Sequence, residues 1–524
     1  MSFYDVIIVG GGHNGLTCAA YLAKSGLRVL VIERRSIVGG AAVTEDNLWK
    51  GYKISRASYF PHIEEEIVED LRLAEYGYVT GRIDPRIFHP FKNGKHLTMY
   101  NDPVKTSMEI EKFSTRDAKQ YLKFHEMAKG FTELVEPMIL SSPPSLTDMV
   151  SLVSGKEFEE IVRYFFLMGA SELLDEFFES EELKVVLCQE SVGNTAMSPS
   201  EIGTAYLLAL SEGGNGLTYA VGGSGAASFA IAKAAESLGA TIETNATVKE
   251  IIANKADGTV EGVELNDGKK IYAPVVVSNA DPKTTILKMM NPDAFDQEFI
   301  QRIRSIRNDG GQTKINIALK ELTRFNCFSG EKAIDPHRTG HVTFAESVSD
   351  LDRSFYQWKM GEIPEKPPVY NFFQSVWDPS VAPLGHHTVS AIVRYTPYAL
   401  KHGTWKERAT ELQERYVDIW QEYSPNFKLS IDHFELLSPW HNEQLLNIDQ
   451  GHVSHIEQCL HQMLSFRPLL GYSDYRMPLK GLYLCGAGTH PGGGVSGAPG
   501  HNAAMAVLED FRNGTISRAT EKVT

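Results

Sequence analysis

Apolar residues in this chain fall into short unbroken runs and longer amphipathic stretches, with glycine-rich turns between them. "VIIV" at Val6 to Val9 is a β-branched run, the pattern of a strand buried on both faces of a parallel sheet. Leu16 to Lys24 continues in helix-forming residues, Gly26 ends that helix, and "RVLVIE" predicts a second buried strand that delivers Glu33. The grammar repeats near the other end, where "GLYLC" reads as a short strand and a helix is expected from about Gly497. Between them Ala226 to Gly239 reads as a helix, and the following forty or so residues, as far as "VVVSNA", as a run of strands. Lys119 to Leu210 is mainly helical by pattern, and "IVRYFFLMGASELLDEFF" is its most apolar part.

The turn after the first strand carries chemistry. Gly10, Gly12 and Gly15 make GxGxxG between strand and helix. Gly10 permits the tight turn, Gly12 lets backbone approach a pyrophosphate, and Gly15 lets helix and strand pack closely. The helix N-terminus offers free N–H groups and partial positive charge to phosphates. Glu33 can accept hydrogen bonds from both ribose hydroxyls of an adenosine, and its charge repels a 2′-phosphate, so NADP is disfavoured. In "RRSIVGGAAVT", Gly39 and Gly40 lie where a loop could return to the phosphates, a pair for which NAD dehydrogenases have no regular use. A second glycine-rich turn, in "YAVGGSGAASFAIAKA", lacks a good buried strand before it and reads as a turn with tight helix packing.

Bulk properties narrow the partners. A chain of 524 residues, 42% hydrophobic, can bury a large core and suggests two or three domains. The 51 Lys and Arg against 66 Asp and Glu give a formal charge of −15, which repels a phosphate backbone and disfavours nucleic acid. The five cysteines are scattered, with no CxxC and no metal-ligand spacing, and read as thiols in a reducing compartment. The first strand begins a few residues after Met1, so no export signal is expected. No stretch approaches the ~18–20 continuous apolar residues of a spanning helix, so the chain is expected to be soluble or to lie on a membrane surface.

"GLYLCGAGTHPGGGVSGAPGHNAAMAVLEDF" (Gly481 to Phe511) places seven glycines between Gly486 and Gly500, a density that calls for backbone close to a ligand. A helix N-terminus there could stabilise negative charge on a reduced flavin. Together with E-R-R-x-x-x-G-G-A after GxGxxG, the G-A-G-T-H-P-G-x-G run resembles the FAD-dependent amine oxidases and phytoene desaturases, and the likeness covers most of the chain. The resemblance implies FAD as cofactor, contacted by Glu33, Arg34, Arg35, Gly39, Gly40 and Ala41. It also implies contacts from His13 and Asn14 beside the first glycines, and from Gly486, Gly488, His490, Gly493, Gly494 and Val495 in the closing loop. Val248 is expected to set its backbone against the adenine, and Asn279 and Ala280 to return a strand to the cofactor.

The implied fold is α/β: a Rossmann-type FAD-binding domain with a parallel sheet (1–80, 215–290 and 476–524) interleaved with an α+β substrate-side domain (81–214 and 291–475), its helical insert at about 119–210. The implied function is an FAD-dependent oxidoreductase that takes hydride from a hydrophobic, isoprenoid or polyene-type molecule, with oxygen or a quinone reoxidising the flavin. Two alternatives stand beside it: an amine-oxidase-like enzyme on a small polar substrate, and a flavin-binding interaction protein without turnover. A disulfide oxidoreductase would need paired cysteines beside the flavin, and the sequence shows none. No general base is forced; His490 is the one candidate, and holding its loop by a side-chain hydrogen bond is its commoner role. His452, His455 and His461 read as surface or hydrogen-bonded residues and not as metal ligands, and Trp358, Trp377, Tyr395 and Tyr398 as core before site lining. The expected location is the cytoplasm, with peripheral membrane contact through the apolar helices as a further expectation, or the mitochondrion in a eukaryote.

Overall fold

The computed structural model describes residues 4–145, 147–148, 156–328 and 335–519, so 146 and 149–155 of the predicted helical insert lie outside the described residues, as do 1–3 and 520–524 of the predicted FAD-binding domain. Its first layer is a five-stranded sheet in the order Leu482–Leu484, Val275–Ser278, Val6–Val9, Val29–Ile32, Thr241–Glu243. Every neighbouring pair is parallel. Alternate side chains of the same strands enter two different cores, which is why the strands are apolar at every position. Val6, Ile8, Val29, Val31, Val275 and Val277 pack with the helices, while Ile7, Val9, Leu30, Ile32 and Val276 pack on the opposite face.

The helical face is built from His13–Lys24, Gly225–Ser237 and Ala498–Arg512, in contact across small residues such as Ala19, Ala20, Ala227, Ala230, Ala503 and Ala504. The other face is covered by an antiparallel sheet of Val248–Asn254, Thr259–Leu265 and Lys270–Tyr272, and by the helix Gln297–Ser305. The glycine-rich turn before Gly225–Ser237 follows the strand Thr218–Ala220, which pairs antiparallel with Thr80–Arg82 and is no part of the parallel sheet. Gly225 N–H donates to Thr44 Oγ1 at 2.9 Å, and a Cβ on Gly225 would lie 2.3 Å from Thr44 N, so this turn serves close packing.

The second large layer is a seven-stranded sheet in the order Ile431–Leu437, Gly310–Leu319, His387–Pro397, Val369–Phe372, His341–Phe344, Ile87–Pro90, His96–Met99. Only the pair of His341–Phe344 with Ile87–Pro90 is parallel. The helices Thr115–Val135, Ala170–Phe177, Glu181–Ser191 and Thr204–Gly213 gather around Tyr121, Phe124, Phe131, Phe165 and Tyr206. Within the most apolar stretch, Phe165, Leu173 and Leu174 are buried in this cluster, while Leu167 is exposed.

Candidate functional site

A cavity of about 710 Å³ runs between the parallel sheet and the seven-stranded sheet. Its first end is mostly backbone. Gly10, Gly12, His13, Asn14, Gly40 and Ala41 line it, with Glu33, Arg34, Arg35, Val248, Asn279 and Ala280 around them. The Gly39–Gly40 loop does return to the glycine turn: Gly39 N–H donates to Gly11 O at 2.8 Å, and Gly39 bridges Gly12 in parallel register. Gly40 has φ +58°, and a Cβ there would sit 3.2 Å from Gly12 Cα. Gly15 faces inward instead, where a Cβ would meet Gly10 O at 2.3 Å, the packing role its position in the motif implies.

Glu33 is buried, and its two carboxylate oxygens accept from Gly11 N–H and Arg35 N–H, each at 2.8 Å. This fixes the carboxylate at the cavity wall with lone pairs left over for ribose hydroxyls. Arg35 donates to Glu45 at 2.6 Å through Nη2, while its Nη1 has no partner. Arg34 is held by the Leu445 carbonyl. No side chain caps the N-terminus of the helix His13–Lys24. Asn14 Oδ1 and His13 Nε2 are buried without partners. Burial pushes the His13 imidazole down to about 4, so it is neutral, and it hydrogen-bonds the Gly494 backbone across to the closing loop. Uncapped N–H groups, orphaned polar atoms and glycines that admit no side chain are what a bound dinucleotide would satisfy. The residues present fit FAD.

In the closing loop His490, Gly493, Gly494 and Val495 line the cavity. Gly486 and Gly488, expected beside the flavin, sit one layer behind: their Cβ positions lie 2.6 Å from His455 Cε1 and 2.7 Å from Pro282 Cδ. His490 Nε2 bonds the Met138 carbonyl at 2.8 Å, the loop-holding role, and burial lowers its pKa to about 4. Arg467 is a support the sequence did not signal. Fully buried, its guanidinium donates to the carbonyls of Ala487, Ser454, Ile456, Glu457 and Gln462, tying the 454–462 segment to the closing loop.

That segment shows which of the two expected roles its histidines take. His452 and His455 are buried because the chain folds under the glycine loop; His452 is the hydrogen-bonded kind, facing Glu457 at 3.5 Å, and His455 packs on Gly486. The scattered cysteines are free thiols, though Cys18 and Cys485 come together in the same core, since the first helix packs over the last sheet strand. No cysteine lines the cavity.

The other end of the cavity is built from side chains. Tyr59, Phe60, Arg86, Glu190, His341, Tyr370 and Arg394 line it, with Tyr206, Leu207, Leu210 and Ile392. Arg86 forms a buried ion pair with Glu212, its Nη2 reaching both carboxylate oxygens at 2.6 and 2.7 Å, and Tyr121 Oη donates to the same carboxylate at 3.0 Å. Tyr59 Oη lies 3.1 Å from His341 Nε2. None of Trp358, Trp377, Tyr395 and Tyr398 lines the cavity. Trp358 and Tyr395 belong to a small core cluster, Trp377 packs on Tyr219, and Tyr398 bonds Glu443.

Against known proteins, the description "NAD(P)-binding Rossmann-like domain" matches residues 8–70. The mouse (Mus musculus) protein named pyridine nucleotide-disulfide oxidoreductase domain-containing protein 2 is 34% identical over 97% of this chain and 94% of its own length. The chain belongs to that family. A limonene dehydrogenase polypeptide of Castellaniella defragrans is 28% identical over 97% of this chain and 95% of its own. Cyclohexylamine oxidase of Brevibacterium oxydans superposes with a TM-score of 0.59 at 17% identity, covering 98% of this chain and 100% of its own, which shows the shared fold. The family is a branch of the phytoene desaturase family, and its member here is an FAD-type oxidoreductase. The words "disulfide oxidoreductase" in the family's name find no dithiol at the cavity wall.

Proposed function

We propose that this protein uses FAD to withdraw hydride from an apolar isoprenoid or polyene-type substrate, with oxygen or a quinone taking the electrons onward. The observation that carries the reading is the continuity of the cavity. From the glycine cradle it passes to an end walled by Tyr59, Phe60, Tyr206, Leu207, Leu210 and Ile392, room suited to a long apolar molecule. The relative named for limonene and the phytoene desaturases point the same way. Bound FAD supplies a two-electron acceptor. The chain holds it by the uncapped first helix and Glu33, and keeps water out through the closing loop pinned by His490 and Arg467. The amine reading is weaker because Arg394, a buried cation with no carboxylate partner among the described residues, repels an ammonium group at this end.

Anaerobic titration of the purified yellow protein separates the readings. Isoprenoid hydrocarbons are expected to bleach the flavin band and primary amines to leave it unchanged. Bleaching by amines alone overturns the proposal, and a colourless protein that takes up no added FAD overturns any flavin chemistry.

A further inference from the structure

Arg394 and Arg86 both line the substrate end, yet among the described residues only Arg86 has a carboxylate in ion-pair contact. Arg394 lies on the strand His387–Pro397, is 7% exposed, and spends one Nη on the Gly193 carbonyl, while its Nε has no partner. Two further unpartnered atoms belong to the same wall: Glu190 Oε1 and His341 Nδ1, 4.0 Å apart and too far for a hydrogen bond to each other. Tyr59 Oη lies 3.1 Å from His341 Nε2, and in the tautomer in which Tyr59 donates there the imidazole carries its proton on Nδ1 and offers a donor. Burial raises the Glu190 carboxyl to about 7, which leaves a large protonated fraction, also a donor, near neutrality. Burial and the nearby Arg394 charge hold His341 neutral, down at about 3. Below about pH 7, where Glu190 holds its proton, the cluster carries the Arg394 charge with no carboxylate in ion-pair contact among the described residues, Glu457 acting on it only at longer range, and burying such a charge is costly until something pairs with it. The complementary ligand is an anion that only accepts hydrogen bonds.

We propose that Arg394, His341 and Glu190 form an anchor for a carboxylate at one end of an otherwise apolar substrate. The substrate class is then an amphipathic isoprenoid or polyene acid, held by its head at the seven-stranded sheet while its chain runs toward the flavin. The inference rests on the apolar-substrate reading above.

The test uses the FAD-loaded full chain and three probes: geranylgeranoic acid, geranylgeraniol and the hydrocarbon phytane, each titrated by isothermal calorimetry. The acid is expected to bind about tenfold or more tighter than the alcohol, the scale of a charge-assisted pair. Arg394→Met should erase that preference by weakening the acid more than the alcohol or the hydrocarbon, and Arg394→Lys should keep part of it. Equal affinity of wild-type protein for acid and alcohol overturns the anchor even if a variant fails to fold. An acid preference that survives Arg394→Met overturns it as well. If phytane and geranylgeraniol bind and the acid gains nothing, the anchor alone fails; if none of the three binds, the apolar-substrate reading fails with it.

Discussion

The two ends of one cavity are made in different ways. At the cofactor end the chain presents backbone: glycines at positions where a Cβ would meet backbone or Asn279, an uncapped helix, and one carboxylate steered by Gly11 and Arg35 N–H groups. At the substrate end it presents side chains from separate strands and helices: Tyr59, Arg86, Glu190, His341, Tyr370 and Arg394. A backbone site binds what every dinucleotide shares and tolerates little change. A side-chain site can be retuned residue by residue, and it is where relatives on this fold can diverge in substrate.

The contrast is broken most strongly at Gly15. A Cβ there lies 2.3 Å from Gly10 O, backbone that cannot swing aside, so Gly15→Val is expected to cost more than the ~1–3 kcal/mol typical of overpacking and to abolish flavin retention. The ratio of visible to ultraviolet absorbance of purified protein reads this directly; wild-type flavin content in the variant would refute the backbone account. At the substrate end the largest effect belongs to Glu212→Gln, which strands Arg86 as an unpaired buried cation and should lower stability by about 3–5 kcal/mol. A denaturation midpoint within error of wild type would show that water reaches Arg86 and that this end is wetter than its burial implies.

Glu190 gives a pH signature. Its carboxyl is raised by burial from 4.5 to about 7, so between those values the folded chain holds a proton that the unfolded chain has released. Stability contributed by this group therefore falls as pH rises through that window, by about 3 kcal/mol in all. Glu190→Gln should match wild type near pH 4.5 and exceed it increasingly up to about pH 7, with the gap constant above; parallel melting curves across the range would contradict a buried, unpaired carboxyl. The smallest effect is expected from Glu33→Gln, which keeps the shape and loses the charge at the ribose position. FAD affinity should weaken about tenfold, roughly 1.4 kcal/mol, with apolar-ligand binding unchanged. Titration of deflavinated protein with FAD measures the first, and isothermal calorimetry the second.

How much of this could be read from the chain follows the same division. Val6–Val9, the helix after it and the strand before Glu33 are local patterns, and each lies where the spacing places it. The helix expected from about Gly497 runs Ala498–Arg512, and that expected at Ala226 to Gly239 runs Gly225–Ser237. Gly486 and Gly488 show where the motif overreaches: a glycine run records that backbone is crowded, not whether a ligand or a neighbour such as His455 crowds it. The burial of His452 and His455 is not legible, because nothing near them in sequence announces the Arg467 network that draws 454–462 inward. Cys18 and Cys485, far apart in the chain, meet only because the first helix covers the last strand.

The sequence by itself determined the cofactor end, because strand, glycine turn, helix and acid lie within one short stretch and interact through backbone geometry fixed by residue type. Tertiary structure alone decided the substrate end. Arg86 has an ion pair because Glu212 folds against it, while among the described residues no carboxylate lies in ion-pair contact with Arg394 and the buried Glu457 acts on it only at longer range. Charge balance in a buried site depends on which distant segments the fold brings within a few ångströms, and residue order does not carry that distance.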